Sequence, residues 1–272
     1  MKKYFAVADP HSFTDFMLSA LYKAGFEKDN SEHYVIICGD AFDRGDSSDG
    51  MLSWMMEMYE KNRLIYIRGN HEDLLQDCVN DIRGMRHIGY HHVTNGTVKT
   101  LATIIGCTQY DILDRTFEWN VFDSKVDELI NFINESAVDY FQLGNTVFVH
   151  GWVPTTVSSD NDSTTCVHEN WRDGSWREAR WENGMEMYKF GIVPPDVTTV
   201  VCGHWHASYG WARIRKSAQE WGEGACFDTF IDYNPDLKFR IVALDACTAY
   251  TGKVNCVVFD EDGIIIDKNY SV

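Results

Sequence analysis

The sequence is short of several things, and each shortage removes a class of protein. None of its 272 residues falls in a stretch approaching the roughly 20 consecutive apolar residues of a membrane span. The start, MKKYFAVADPH, is charged but reaches Asp9 before any apolar segment of signal-peptide length. A cytoplasmic protein with no membrane partner is the expectation. Eight cysteines never form a Cys-x-x-Cys pair, and several sit in apolar runs such as VIICGD, TVVCGH and KVNCVVFD. They read as small buried hydrophobes in a reducing compartment. Bases are scarce: 24 against 41 acids, for a net charge of -17. Such a surface repels a nucleic-acid duplex, whose binding depends on neutralising phosphates. An anionic substrate must then be captured by a local positive site.

What is present is a chain long enough for one large domain or two small ones, with 44% apolar residues. At this size roughly three quarters of the unfolded surface can be buried, so no disulfide or metal is needed merely to hold a core. Short apolar runs alternate with amphipathic segments in the first half, the pattern of a sheet with crossover helices. Strands read at 3–8, 33–38 and 63–68, with helices at 13–24, about 49–60, and from Leu74 to near Gly84. Ser12 with Asp15 is spaced as a capping box for the first of these helices, and Ser124 with Asp127 caps a later one bearing Val126, Leu129, Ile130 and Ile133. The stretch 85–115 reads as irregular with short strands. Further strands read at 139–143, 146–151, 198–203, 240–245, 253–260 and 263–267. The expectation is one domain over 1–272, of α/β (α+β) class, with two sheets packed together.

Residues 152–195 break the alternation. They are polar and carry Trp152, Trp171, Trp176 and Trp181 with Arg172, Arg177 and Arg180, and read as an insertion whose rings fasten it to the body.

Five expected strands end in ligand-type residues on the loop just beyond: Asp9 and His11, then Asp40 in GDAFDRGD, Asn70 and His71 in GNHE, His150 in VHG, and His204 with His206 in GHWH. In open α/β sheets sites gather at the carboxyl ends of strands. Imidazole suits borderline metals and carboxylate or amide oxygens suit hard ones, while the absence of thiolate argues against a zinc finger. Eight donors exceed the three or so that one open catalytic ion uses; two ions about 3.5 to 4 Å apart, bridged by a carboxylate, would use them all. Two divalent cations offset by Asp9 and Asp40 leave a pocket near +2, which would seek a phosphate. A water bridging the ions would be acidified enough to attack phosphorus as hydroxide. His71 is placed to protonate the leaving alkoxide, Asp43 to hold that imidazole, and Arg44 to grip phosphate with its fork. His33, His87, His91, His92 and His168 lack such context and read as ordinary surface or core side chains.

In their order, ADPHS, GDAFDRG, GNHE, VHG and GHWH resemble the calcineurin-like metallophosphoesterases, in particular the branch of phosphoprotein (serine/threonine) phosphatases and symmetrical diadenosine tetraphosphate hydrolases. A late segment, ALDACTAYTGKVN, looks like that branch's closing strand. The resemblance implies a β-sandwich of two mixed sheets flanked by helices. It further implies Asp9, His11, Asp40 and His206 on one ion and Asp40, Asn70, His150 and His204 on the other, with manganese expected and iron or zinc as alternatives. Asp43, Arg44 and His71 would serve as above. The chain departs from the family where Ala8 and Ser12 replace the glycines of Gly-Asp-x-His-Gly, and where Trp152 follows Gly151. The branch's second phosphate-gripping arginine has no motif; Arg180 is the candidate, with Arg172 and Arg177 behind it.

The function expected is hydrolysis of phosphomonoesters, with phosphoserine or phosphothreonine in proteins as the leading substrate. A nucleotide hydrolase acting on diadenosine polyphosphates is the alternative, since tryptophan faces can stack bases. A non-catalytic metal-binding scaffold is the reading from a different class.

Overall fold

The computed structural model describes residues 1–157, 165–221, 226–230 and 239–269. In chain order its strands are β1 (Lys3–Val7), β2 (His33–Cys38), β3 (Leu64–Ile67), β4 (Ala137–Val138), β5 (Phe141–Leu143), β6 (Thr146–Phe148), β7 (Thr155–Val157), β8 (Thr165–Val167), β9 (Thr199–Cys202), β10 (Phe227–Phe230), β11 (Arg240–Ala243), β12 (Cys256–Phe259) and β13 (Ile265–Asn269). One sheet has the order β13-β12-β1-β2-β3-β4 and the other β10-β11-β9-β6-β5, while β7 and β8 form a separate hairpin. Each large sheet is mixed. Strands β1 to β4 run parallel, with β12 and β13 antiparallel at one edge. In the second sheet β6, β9 and β11 run parallel, flanked by antiparallel β5 and β10. The two-sheet α/β expectation holds.

Three apolar layers explain the stacking. Ala6, Ile36, Ile67, Phe148, Val201, Val242 and Val257 lie between the sheets. Alternate residues of the same strands, among them Phe5, Val35 and Ile37, face the helices α1 (Thr14–Lys23), α2 (Ser48–Glu60) and α3 (Asn70–Arg83). This two-residue period is what a sheet covered on both faces demands. On the far side of the second sheet, Val147, Val200 and Ile241 pack against Trp152, Trp171 and Trp176. Three of the four tryptophans of residues 152–195 thus bury themselves on that sheet, while Trp181 is half exposed.

Three local expectations fail. Residues 85–115 are helical, not irregular: α4 (Tyr90–Thr94), α5 (Thr97–Ile105) and α6 (Gln109–Asp114). The apolar stripe Val98, Leu101, Ala102, Ile104 buries one face of α5, and Gly96 and Gly106 bound it in left-handed conformation. Helix α7 (Trp119–Ser136) starts five residues before Ser124, where Phe117, Trp119 and Phe122 cluster their rings. Ser12 caps nothing; its hydroxyl bonds Ser48 Oγ at 2.9 Å, and α1 begins after Phe13 without a side-chain cap. The remaining α-helices among the described residues are α8 (Trp176–Ala179), α9 (Gly184–Lys189) and α10 (Thr248–Thr251). No helix among the described residues is long and apolar enough to cross a membrane.

Candidate metal centre

Six parallel strands, three from each sheet, deliver polar residues from the loops at their carboxyl ends. Asp9 and His11 follow β1, Asp40 to Arg44 follow β2, Asn70 and His71 open α3 after β3, and His150, His204 and Asp245 follow β6, β9 and β11. The last was not expected as a site residue, although the segment holding it had been singled out.

Asp40 is the hub. His11 Nε2 and His71 Nε2 each lie 3.8 Å from its Oδ2, and His150 Nε2 lies 3.2 Å from its Oδ1. Ligand atoms of His11, Asp40 and His71 fall within 4.8 Å of one another, as do those of Asp40, His150 and His204. Asn70 joins the second group, its Oδ1 being 2.8 Å from His150 Nε2. Asp9 accepts the His204 amide on both carboxylate oxygens, at 3.1 and 2.9 Å. All of these side chains but His204 are almost fully buried.

The donor set fits two divalent cations, and the test is in the second nitrogen of each imidazole. His11 Nδ1 donates to Phe42 O at 2.9 Å, His150 Nδ1 to Cys38 O at 2.9 Å, and His204 Nε2 to Trp181 O at 3.2 Å. Carbonyl-anchored imidazoles of this kind are how proteins orient metal-binding histidines. His150 turns its other nitrogen, Nε2, toward two oxygens, Asp40 Oδ1 and Asn70 Oδ1, an arrangement that a cation between them satisfies. Burial, then the neighbouring Arg44 and His71, hold His11 well below the usual imidazole range; burial and then His150 hold His204 near about 3. Both are therefore held in the neutral form that metal binding requires. The carboxylates carry the complementary signal. Burial, then Asp245 and Asp40, push Asp9 well up, and burial raises Asp245 to about 6. Burial would raise Asp40 as well, but the surrounding imidazoles outweigh it and hold it low.

His71 shares Asp40 with His11 but has different partners. Its Nδ1 donates to Asp43 Oδ2 at 2.7 Å, and Arg44 Nη2 stands 3.2 Å from its Nε2. Burial pulls this imidazole down, yet Asp40 and the hydrogen-bonded Asp43 more than offset it, so its pKa is raised. Asp43 is itself clamped by Thr97 Oγ1 at 2.9 Å and Thr100 Oγ1 at 2.8 Å. Those two threonines, three residues apart on one face of α5, were missed because 85–115 was read as irregular.

The loops are strained and held. Among the described residues, eight of the thirteen non-glycine residues with positive φ are Asp9, His11, Ser12, Asp40, Asp43, Arg44, His204 and Cys247, all in the site loops; strain of this kind costs about 1 to 3 kcal/mol each. The buried Glu72 is one clamp: its carboxylate accepts the amides of Asp40 at 3.1 Å, Ala41 at 2.9 Å and Gly69 at 2.7 Å. Its position in GNHE was visible, its role was not. Glycine serves the same end where backbone must touch a carboxylate. A Cβ on Gly203 would lie 2.2 Å from Asp9 Oδ2, and one on Gly69 2.2 Å from Asp40 Oδ1.

Two expected site residues are engaged outside the two groups around Asp40. Arg180 is buried and donates to Asp73 Oδ2 at 2.7 Å and to Asp139, beside Arg68; its charge is spent on that cluster. His206 is not brought into either imidazole group: its Nδ1 bonds Ser208 Oγ at 2.7 Å, its Nε2 lies 3.7 Å from Glu220 Oε1, and its ring lies 3.8 Å from that of Trp221 at a tilt of 33°.

Comparison with known proteins agrees with the geometry. Residues 2–208 match the model of the calcineurin-like phosphoesterase family. No curated protein matches the chain. Among solved structures, a cold-active protein tyrosine phosphatase is 15% identical over 99% of this chain and 80% of its own, with a TM-score of 0.52. A protein serine/threonine phosphatase from Saccharomyces cerevisiae is 17% identical over 99% and 78%, with a TM-score of 0.50. A candidate diadenosine tetraphosphatase is 17% identical over 100% and 93%, with a TM-score of 0.49. The first two likenesses show a common fold.

Proposed function

The chain belongs to the calcineurin-like phosphoesterases, metal-dependent hydrolases of phosphoester bonds, and from that premise we propose that it hydrolyses phosphomonoesters at a dinuclear centre bridged by Asp40. The observation that carries this reading is the convergence of His11, His150 and His204, each anchored on a backbone carbonyl, upon one buried carboxylate. His11, Asp40 and Asp9 would hold one ion, and Asp40, Asn70, His150 and His204 the other; manganese suits this oxygen and imidazole mixture. When bound, two such ions polarise the phosphoryl oxygens and acidify water toward neutrality.

The remaining steps belong to the protein. Arg44, on the same loop as Asp40, grips the phosphate with its fork. His71 gives up a proton to the departing alkoxide from Nε2, the nitrogen that faces Arg44. Asp43, locked by Thr97 and Thr100, fixes the tautomer and favours the protonated form. The DRG and GNHE motifs support a phosphatase of the phosphoserine or phosphothreonine type. One observation favours the nucleotide alternative: exposed rings of Trp205, Trp221 and Tyr250 line the cavity beside His204.

The test is hydrolysis of p-nitrophenyl phosphate with added manganese, alongside metal content. Turnover lost to a chelator and restored by manganese is expected, with Asp40→Asn lowering both bound metal and rate by orders of magnitude. Two bound ions without turnover of any phosphoester would favour the non-catalytic scaffold instead.

A further inference from the structure

Tryptophan in this chain is used in two ways. Trp152, Trp171 and Trp176 are buried, whereas Trp205, Trp221 and Tyr250 are 37%, 58% and 81% exposed. These three line a cavity of about 630 Å³ together with His204 and Asp245. Their rings neighbour one another in a chain that starts beside His204. Trp205 lies 6.5 Å from His204 and 6.3 Å from His206, His206 lies against Trp221 at 3.8 Å with a tilt of 33°, and Trp221 lies 5.9 Å from Tyr250. Arg44 and Lys99 line the same cavity.

The row is built, not incidental. His206 is buried, and Ser208 Oγ binds both its Nδ1 at 2.7 Å and the amide of Trp221 at 3.2 Å. His206 thereby backs one face of the Trp221 indole, while the indole remains more than half exposed. An aromatic face held in place beside a cation-lined phosphate pocket is a seat for a planar ring: stacking is tolerant of ring identity and needs no polar match.

We propose that Trp205, Trp221 and Tyr250 seat a planar aromatic ring carried by the alcohol half of the substrate, with His206 as the support under Trp221. The enzyme then prefers phosphomonoesters whose alcohol bears a ring within reach of the phosphate. Such a ring comes from two sources, the base of a nucleotide or the phenol of phosphotyrosine. This inference rests on the phosphomonoesterase reading above and names its substrate class.

The experiment compares kcat/KM of the manganese-loaded protein for adenosine 5'-monophosphate against ribose 5-phosphate, and for phosphotyrosine against phosphoserine, in wild type, Trp221→Leu and Tyr250→Ala. Because a phenolate leaves more readily than an alkoxide, the second pair is read as the change from wild type to variant. A preference of about tenfold for one ring-bearing ester, mostly lost in Trp221→Leu, is expected from the strength of a single stacking contact. Preference confined to the nucleotide pair identifies a base as the ring; loss confined to the phosphotyrosine pair identifies a phenol. Equal selectivity in wild type and both variants overturns the proposal. A parallel calorimetric titration of the metal-free protein with adenosine and with tyrosine separates the two levels of argument. Binding weakened by Trp221→Leu in a protein that hydrolyses none of the four esters sustains the ring seat and sinks the phosphomonoesterase reading. Hydrolysis without ring preference or ring binding does the reverse. Tyr250→Ala, whose side chain is mostly solvent-exposed, keeps the test open should Trp221→Leu fail to fold.

Discussion

Replacing Glu72 by glutamine removes one oxygen and no volume, so its effect isolates the clamp under the ligand loops. One carboxylate oxygen accepts the amides of Asp40 and Gly69, at 3.1 and 2.7 Å, and the other that of Ala41 at 2.9 Å. Glutamine keeps a single acceptor oxygen and turns an NH2 group toward at least one of these donors. A buried amide left without an acceptor costs about 1 to 3 kcal/mol, and the NH2 group facing it incurs a similar cost. Glu72→Gln should therefore destabilise by about 2 to 6 kcal/mol, a large share of the 5 to 15 kcal/mol typical of a folded domain. With a urea m-value of about 3 kcal/mol/M, the unfolding midpoint falls by about 1 M. The same bonds hold Asp40 at φ 53, so metal affinity should fall with stability, and added manganese should recover part of the rate. Urea titration and metal analysis of the folded variant are the measurements. An unchanged midpoint together with undiminished metal content would refute the clamp.

Other substitutions separate proton transfer from metal binding. His71→Asn should retain metal and slow turnover most for esters with poor leaving groups, as a comparison of alkyl with nitrophenyl esters would show; loss of metal would make His71 a ligand. Asp43→Asn removes a charge that raises the His71 pKa. The protonated acid is then lost at lower pH, so the alkaline limb of the pH–rate profile should move down, and an unmoved limb would count against the pairing. Arg180→Ala leaves Asp73 without one of its two guanidinium partners. It should cost about 2 to 4 kcal/mol of stability, as breaking a buried pair does, while KM stays within about twofold; a large rise in KM would return Arg180 to the substrate.

Legibility followed chemistry and ran out where geometry took over. Asp9, His11, Asp40, Asn70, His150 and His204 could be read because each follows an apolar run, and strand ends gather at one edge of the sheets. Helix α5 was legible only in part: Val98, Leu101, Ala102 and Ile104 stand at helical spacing, but nothing in TVKTLATII announces that Thr97 and Thr100 will close on Asp43. Arg180 was drawn to phosphate by its charge alone, whereas Asp73 and Asp139 compete for it within the fold.

His206 shows most clearly what one-dimensional spacing hides. Two residues from His204 in GHWH, it carries the same ligand chemistry, and only the backbone decides where each ring goes. The left-handed turn at His204, φ 67, aims that imidazole at Asp40 while its Nε2 reaches the Trp181 carbonyl. One step further on, Ser208 captures His206 and Trp221 together. The strain in the first motif is of the same kind: with Ala8 and Ser12 where glycines would turn freely, Asp9, His11 and Ser12 all take positive φ. They are held there by the amides of His11 and Ser12 donating to Asp40 O and Ala41 O at 3.0 and 2.8 Å. The two ligand loops therefore stabilise each other's least favourable conformations. A site assembled from such mutual constraint is rigid before any substrate arrives, which is what electrostatic preorganisation requires, and its stability is as cooperative as its chemistry.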